Sequence, residues 1–185
     1  MQEIKDKKIF DNVDKTYSNL IKDKNDYVIE GNFDYLKKNN LLCMPIFRGD
    51  DYVDNLPKNL SEFIKKRNEE KCFVIDKFWN QEKGGPDTKV FESKDLSESF
   101  FNKTIIDFNI TILGFFFFKA NLFVVFNDFD YYLIIAKQED IEELTNLTIP
   151  ELLEYTKEID WYSDDRPEMY DTYKKFLEDV GAIKE

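Results

Sequence analysis

Apolar residues near the start of the chain recur at helical spacing. Val13, Tyr17, Leu20 and Ile21 share one face of a predicted helix over residues 12–24, and a second short helix is expected over 32–39. The segment from Pro45 to Pro57, which contains Arg48-Gly49-Asp50-Asp51, follows neither the helical nor the strand period and reads as irregular. Leu60, Phe63 and Ile64 then mark one face of a helix from about Leu60 to Glu70, and Cys72 to Trp79 reads as a strand. Asn80 to Thr88, with Gly84-Gly85-Pro86, is rich in breakers and predicts a loop. A short strand at Lys89–Phe91 and a helix at Lys94–Asn102 follow.

The middle of the chain is β. Phe108, Ile110 and Ile112 alternate with Asn109 and Thr111, and the run becomes apolar throughout at Phe115–Phe118. Lys119-Ala120-Asn121 divides it from Leu122–Phe126, and Tyr131–Ala136 follows as a third strand. Two apolar strands in a row predict a meander whose centre is covered on both faces, spanning roughly residues 105–136. The last third is helical. Glu139–Leu144 turns Ile141 and Leu144 inward, and Thr148-Ile149-Pro150-Glu151 is a capping box opening a helix that buries Leu152, Tyr155 and Ile159. Asp165-Arg166-Pro167-Glu168 starts a final helix with Tyr170, Tyr173, Leu177 and Val180 inward and Gly181 as its stop. The expected fold is α+β, an antiparallel sheet packed with helices, in a single domain over 1–185.

Charge changes this picture. Residues 1–126 carry 21 acids against 20 bases, whereas 127–185 carry 17 acids against 6 bases. A near-neutral body with a strongly acidic end is suited to meeting a positive partner, because such a field speeds and orients association. Eighteen Phe and ten Tyr provide for a substantial core. Cys43 and Cys72 both sit in apolar surroundings and are expected to be buried thiols, which fits a reducing, cytoplasmic setting. The charged N-terminus lacks the apolar stretch of a secretory signal, and Lys119 and Asn121 interrupt the one run, Ile110 to Phe126, that resembles a membrane span. No membrane association is expected.

The catalytic inventory is thin. The chain has no histidine, which removes His-based triads and His metal sites, and it has no phosphate-binding glycine motif. Asp128-Phe129-Asp130 could hold a divalent cation, as in a metal-dependent enzyme, but Asp is also a common turn residue. Pro86-Asp87 with Glu92-Ser93-Lys94 resembles the PD-(D/E)xK nucleases, in which two acids bind magnesium. Here the halves are close together, and an acidic surface repels DNA. Lys65-Lys66-Arg67 is read as an exposed helix face, so direct nucleic-acid binding is not expected. No cofactor and no metal are assigned.

The candidate site lies in the acidic third. Glu151, Glu154 and Glu158 are spaced to share one helix face, and Asp160, Trp161, Tyr162, Asp164 and Asp165 follow. Aromatics among carboxylates are the composition of an anchored, charged binding patch. Macrodipole preferences explain some of these acids individually but not the whole excess.

In character the chain resembles the immunity proteins of bacterial toxin systems, which bind a toxin domain and block it with carboxylates. Leu56-Pro57-Lys58-Asn59-Leu60-Ser61-Glu62-Phe63-Ile64, with Asn68 beyond it, is similar to a stretch of the SUKH group of such proteins; that group continues with Gly-Gly where this chain has Glu69-Glu70. The resemblance implies an inhibitor whose partner is a basic protein such as a nuclease toxin; with the thin catalytic inventory, a non-enzymatic binding protein is expected, and a monomer. The alternatives are a carboxylate-based divalent-metal enzyme and an acidic nucleic-acid mimic.

Overall fold

The computed structural model describes the backbone of residues 1–25, 28–47, 51–108, 111–127, 131–162 and 169–184, and side chains within these segments except at 23–28, 47–54 and 158–162. In chain order the elements are β1 (Gln2–Glu3), α1 (Lys7–Leu20), β2 (Ile21–Asn25), β3 (Val28–Gly31), α2 (Phe33–Lys38), β4 (Leu42–Phe47), α3 (Asp51–Lys66), β5 (Cys72–Asn80) and β6 (Gly85–Ser93). They continue with α4 (Glu98–Asp107), β7 (Ile112–Phe117), β8 (Leu122–Phe126), β9 (Tyr131–Ala136), α5 (Gln138–Thr145), α6 (Ile149–Tyr162) and α7 (Met169–Asp179).

The apolar strands lie at the heart of a seven-stranded antiparallel sheet of order β1-β6-β5-β7-β8-β9-β4. Side chains alternate across a strand, so the register places Phe115, Phe117, Val124 and Ile134 on one face and Phe116, Phe123, Val125 and Leu133 on the other. Both sets are buried, as continuous apolar strands require. On the first face Phe101 of α4 meets Phe115 edge-on at 5.3 Å, and α3 packs against α4 and α5. The second face carries α1, α2, α7 and the separate β2–β3 ribbon. Two buried tyrosines fasten that ribbon. The Tyr131 hydroxyl donates to the Ile29 carbonyl (2.6 Å) and accepts from the Ile29 N–H, and the Tyr173 hydroxyl accepts from the Gly31 N–H. The fold is therefore α+β with helices on both faces, and α6 packs along the edge strand β4 and against α7.

Several boundaries differ from the sequence expectation, each for a local reason. The first helix begins at Lys7, not residue 12, because the Asp6 carboxylate caps the N–H groups of Lys8 and Ile9, and it ends where Ile21 becomes extended. The segment expected to be irregular contains β4 and the first turns of α3. Pro45 is tolerated because β4 is an edge strand, and Pro57 lies inside α3. Arg48, Gly49 and Asp50 lie outside the described residues. The loop expected at Asn80–Thr88 is instead a β5–β6 hairpin with its turn at 81–84, where Gly84 takes φ +64° and Asn80 caps the N–H groups of Glu82 and Lys83. The helix expected at Lys94 starts after Ser97, which caps Phe100, and it runs through Asp107. Phe108 is thereby the C-cap of α4 and not part of a strand.

The Asn content acquires a use. Asn40, Asn68, Asn121 and Asn146 all adopt left-handed φ of 51–57°, closing α2, α3, the β7–β8 turn and α5. Asn bears that conformation better than other side chains. Gly181 stops α7 as expected, at φ +74°, with the Ala182 N–H donating back to the Leu177 carbonyl.

Candidate functional site: the acidic C-terminal surface

The acidic third separates into two groups once its neighbours are placed. The first belongs to α5 and is consumed by the fold. Asp140 is buried, and the Arg67 guanidinium binds both it and Glu143, while the Lys66 ammonium reaches Glu143 at 3.0 Å. These bridges hold the Glu143 carboxyl below the usual range. Lys66 and Arg67 are thus not merely an exposed helix face, as the sequence suggested; they join the end of α3 to α5. Glu142 accepts from the Ile149 N–H and so links α5 to the start of α6.

The second group runs along α6 and α7. Thr148 and Glu151 make one half of the expected capping box: the Thr148 N–H and hydroxyl both donate to the Glu151 carboxylate, at 2.8 and 2.7 Å. Glu151 is exposed, and its hydrogen bonds from Thr148 lower its pKa. One turn on, exposed Glu154 pairs with Lys157 at 2.6 Å and accepts from the Tyr170 hydroxyl of α7, and Lys157 lies over the Tyr170 ring at 4.6 Å. These three side chains tie the outer faces of α6 and α7 into one surface. Glu158, Asp160, Trp161 and Tyr162 belong to the end of α6 by backbone, their side chains being outside the described residues. Asp164 and Asp165 lie outside the described residues, as do Asp128 and Asp130.

Helix polarity separates structural from surplus acids. A helix C-terminus carries partial negative charge, which disfavours carboxylates by about 0.3–1 kcal/mol each. None of α5, α6 and α7 has a basic residue in its last turn. In α5 the bridges from Lys66 and Arg67 offset this. In α6 the last turn holds Asp160, two residues after Glu158, and in α7 it holds Glu178 and the exposed Asp179. N-terminal hydrogen bonds of α6 account for Glu142 and Glu151.

The other carboxylate motif dissolves. Asp87 and Glu92 lie on the same strand, five residues apart, and therefore on opposite faces of the sheet. Asp87 is occupied by Lys83 and Asn80, which bring its pKa down to about 2, and Glu92 pairs with Lys71 at 2.6 Å. Among the described residues no group of three His, Cys, Asp or Glu side chains could hold a metal ion, and no helix is long and apolar enough to cross a membrane. Cys43 and Cys72 are free and buried, and desolvation pushes the Cys72 thiol up to about 12, so neither is a ready nucleophile.

One residue escaped the sequence reading. Asp76 sits within the apolar run of β5, 6 % exposed, and its Oδ1 has no hydrogen-bond partner. Burial raises its pKa. The only signal in the sequence is a lone acid in a strand whose neighbours are apolar. A carboxyl whose pKa is raised by folding stabilises the protein only while protonated. That contribution is complete below the unfolded pKa of about 3.9 and is lost as pH rises through the folded value. Asp76→Asn is therefore expected to raise stability at neutral pH by about 1 kcal/mol, with the advantage vanishing in acid; urea unfolding across pH measures it.

Compared with protein-family models, with curated proteins and with solved structures, the chain matches none.

Proposed function

We propose that the protein is a stoichiometric, non-catalytic binding protein that neutralises a basic protein partner, in the manner of bacterial immunity proteins, through the surface built by α6 and α7. The observation that carries this reading is the placement of acids at the C-terminal ends of these helices, against the helix dipole, where Asp179 is exposed and has no ion pair among the described residues. Residues that break a local stability rule without local compensation are expected at functional sites. The neutral body and the acidic end supply the field that would draw in a cationic partner. Inhibition follows from occupation: carboxylates meet the cationic groups that a nuclease-type toxin uses for phosphate. Cytoplasmic location and a monomeric state belong to the same proposal.

The SUKH-like stretch lends partial support. Leu56, Leu60, Phe63 and Ile64 are buried positions of α3, and Asn68 is its left-handed cap, closed by the Glu69 N–H on the Ile64 carbonyl. Any helix packed on a sheet in this way would need a similar pattern, so the stretch speaks more to α3 than to ancestry.

The test replaces Glu154, Glu158 and Asp160 together by Lys. Association with the basic partner is expected to slow at least ~10-fold at low salt, within the range that electrostatic steering supplies. Stability is expected to fall slightly, because Glu154 gives up Lys157 and the Tyr170 hydroxyl, a loss partly offset at positions 158 and 160, where Lys suits the end of a helix. Unchanged association rates would remove this surface from the proposal.

A further inference from the structure

Asp76 has a cation directly opposite with which it forms no ion pair. The β5–β6 register sets Asp76 against Lys89, so both side chains leave the same face of the sheet. Residues so paired across antiparallel strands lie about 4.5–5.5 Å apart at Cβ, close enough for opposite charges to meet. Yet the Lys89 ammonium lies 5.0 Å from the centre of the Phe78 ring, the diagonal neighbour, and Asp76 Oδ1 stays empty. Asp76 also interacts with Thr111, an interaction that favours the carboxylate, and the Thr111 hydroxyl reaches the Phe108 carbonyl at 3.1 Å as well.

We propose that Asp76 and Lys89 form a proton-controlled latch, in which ionisation of Asp76 draws the Lys89 ammonium off the Phe78 ring and onto Oδ1. With the proton present, the Asp76 carboxyl is neutral and Lys89 rests on Phe78. With the proton released to solvent, the buried carboxylate needs a cation, and among the described residues Lys89 is the cation that faces it. The charged groups of β6 on this face are Lys89 and Asp87, and Asp87 is held by Lys83 and Asn80. β7 contributes only Leu113 opposite Asp76, the segment after α4 contributes Thr111, and Asp107 at the end of α4 is exposed.

The latch sits where β5 leaves the sheet. β7 pairs with β5 only as far as Lys77, so Phe78, Trp79 and Asn80 extend beyond it with β6 as their partner strand. The outer edge of this arm is closed to further strands: Pro86 has no N–H, and the Thr88 N–H is taken by the Asp87 carboxylate. The arm instead presents Trp79, 60 % exposed, next to the residue that Lys89 would release. Proton loss at Asp76 thereby changes the packing at the root of the arm.

The test follows the Asp76 carboxyl, the Lys89 side chain and the Phe78 ring by NMR on the full chain through a pH titration. All three are expected to shift with one midpoint, above the ordinary aspartate value of about 3.9. Asp76→Asn should abolish the Phe78 shift. Lys89→Met should abolish it too and move the Asp76 midpoint higher, since the cation that favours the carboxylate is gone. Phe78 signals that stay flat through the Asp76 transition, an Asp76 midpoint in the ordinary range, or a midpoint indifferent to Lys89→Met would each overturn the latch.

Discussion

Gly114→Val is expected to destabilise the protein by about 3 kcal/mol, through overpacking at the centre of the sheet. Gly114 lies on β7 opposite Ile75 of β5 and Val125 of β8. A Cβ at this position would stand 2.7 Å from Ile75 Cγ2 and 2.7 Å from the Phe116 ring. Both neighbours are fully buried, and Ile75 is β-branched with few rotamers to retreat into. The glycine is there for space, since a strand otherwise gains from a side chain. In a chain of this size the loss lowers Tm by about 10 °C, which thermal unfolding reads directly. Gly114→Ala should fall in the same direction with a smaller loss.

Arg67→Met is expected to cost about 2 kcal/mol, because it leaves Asp140 buried without its counter-charge. A fully buried pair would cost more. Here Arg67 is one-third exposed, and Asp140 retains the favourable first turn of α5. The guanidinium carbon also lies 4.6 Å from the centre of the Phe63 ring, a contact that the methionine sulfur partly replaces. Arg67→Met combined with Asp140→Asn should recover more than half of it, since the unpaired buried charge is then gone. Urea unfolding of the four proteins in the cycle gives the coupling; strictly additive losses would mean that Arg67 and Asp140 do not act as a pair.

What was legible in the sequence was whatever depends on neighbours along the chain. The meander showed through its apolar runs, α6 through Thr148 and Glu151, and the stop of α7 through Gly181. Elements governed by distant partners were not legible. β4 is a strand because β9 pairs with it along its whole length, and Pro45 conceals that when only local propensity is read. The Gly-Gly-Pro segment after the β5–β6 turn looks like a loop until β5 supplies its register. Lys66 and Arg67 gain their role from acids more than 70 residues away. The candidate site divides along the same line. The spacing of Glu151, Glu154 and Glu158 was visible, whereas the assignment of Glu151 to a cap and of Glu154 to Lys157 and Tyr170 needed the packing of α6 on α7. Asp76 was invisible as a special residue, because one acid in a strand acquires meaning only when its unpaired oxygen and the idle lysine opposite are seen.

We propose that an acidic surface at the ends of α6 and α7 recruits a cationic protein. The association rate constant of the intact protein with its basic partner, across a range of ionic strength and with the Glu154/Glu158/Asp160→Lys variant alongside, tests this. Association is expected to be fast at low salt and to fall steeply as salt rises, and the variant is expected to be slow and nearly salt-insensitive. Association by the native chain that does not respond to salt would contradict it.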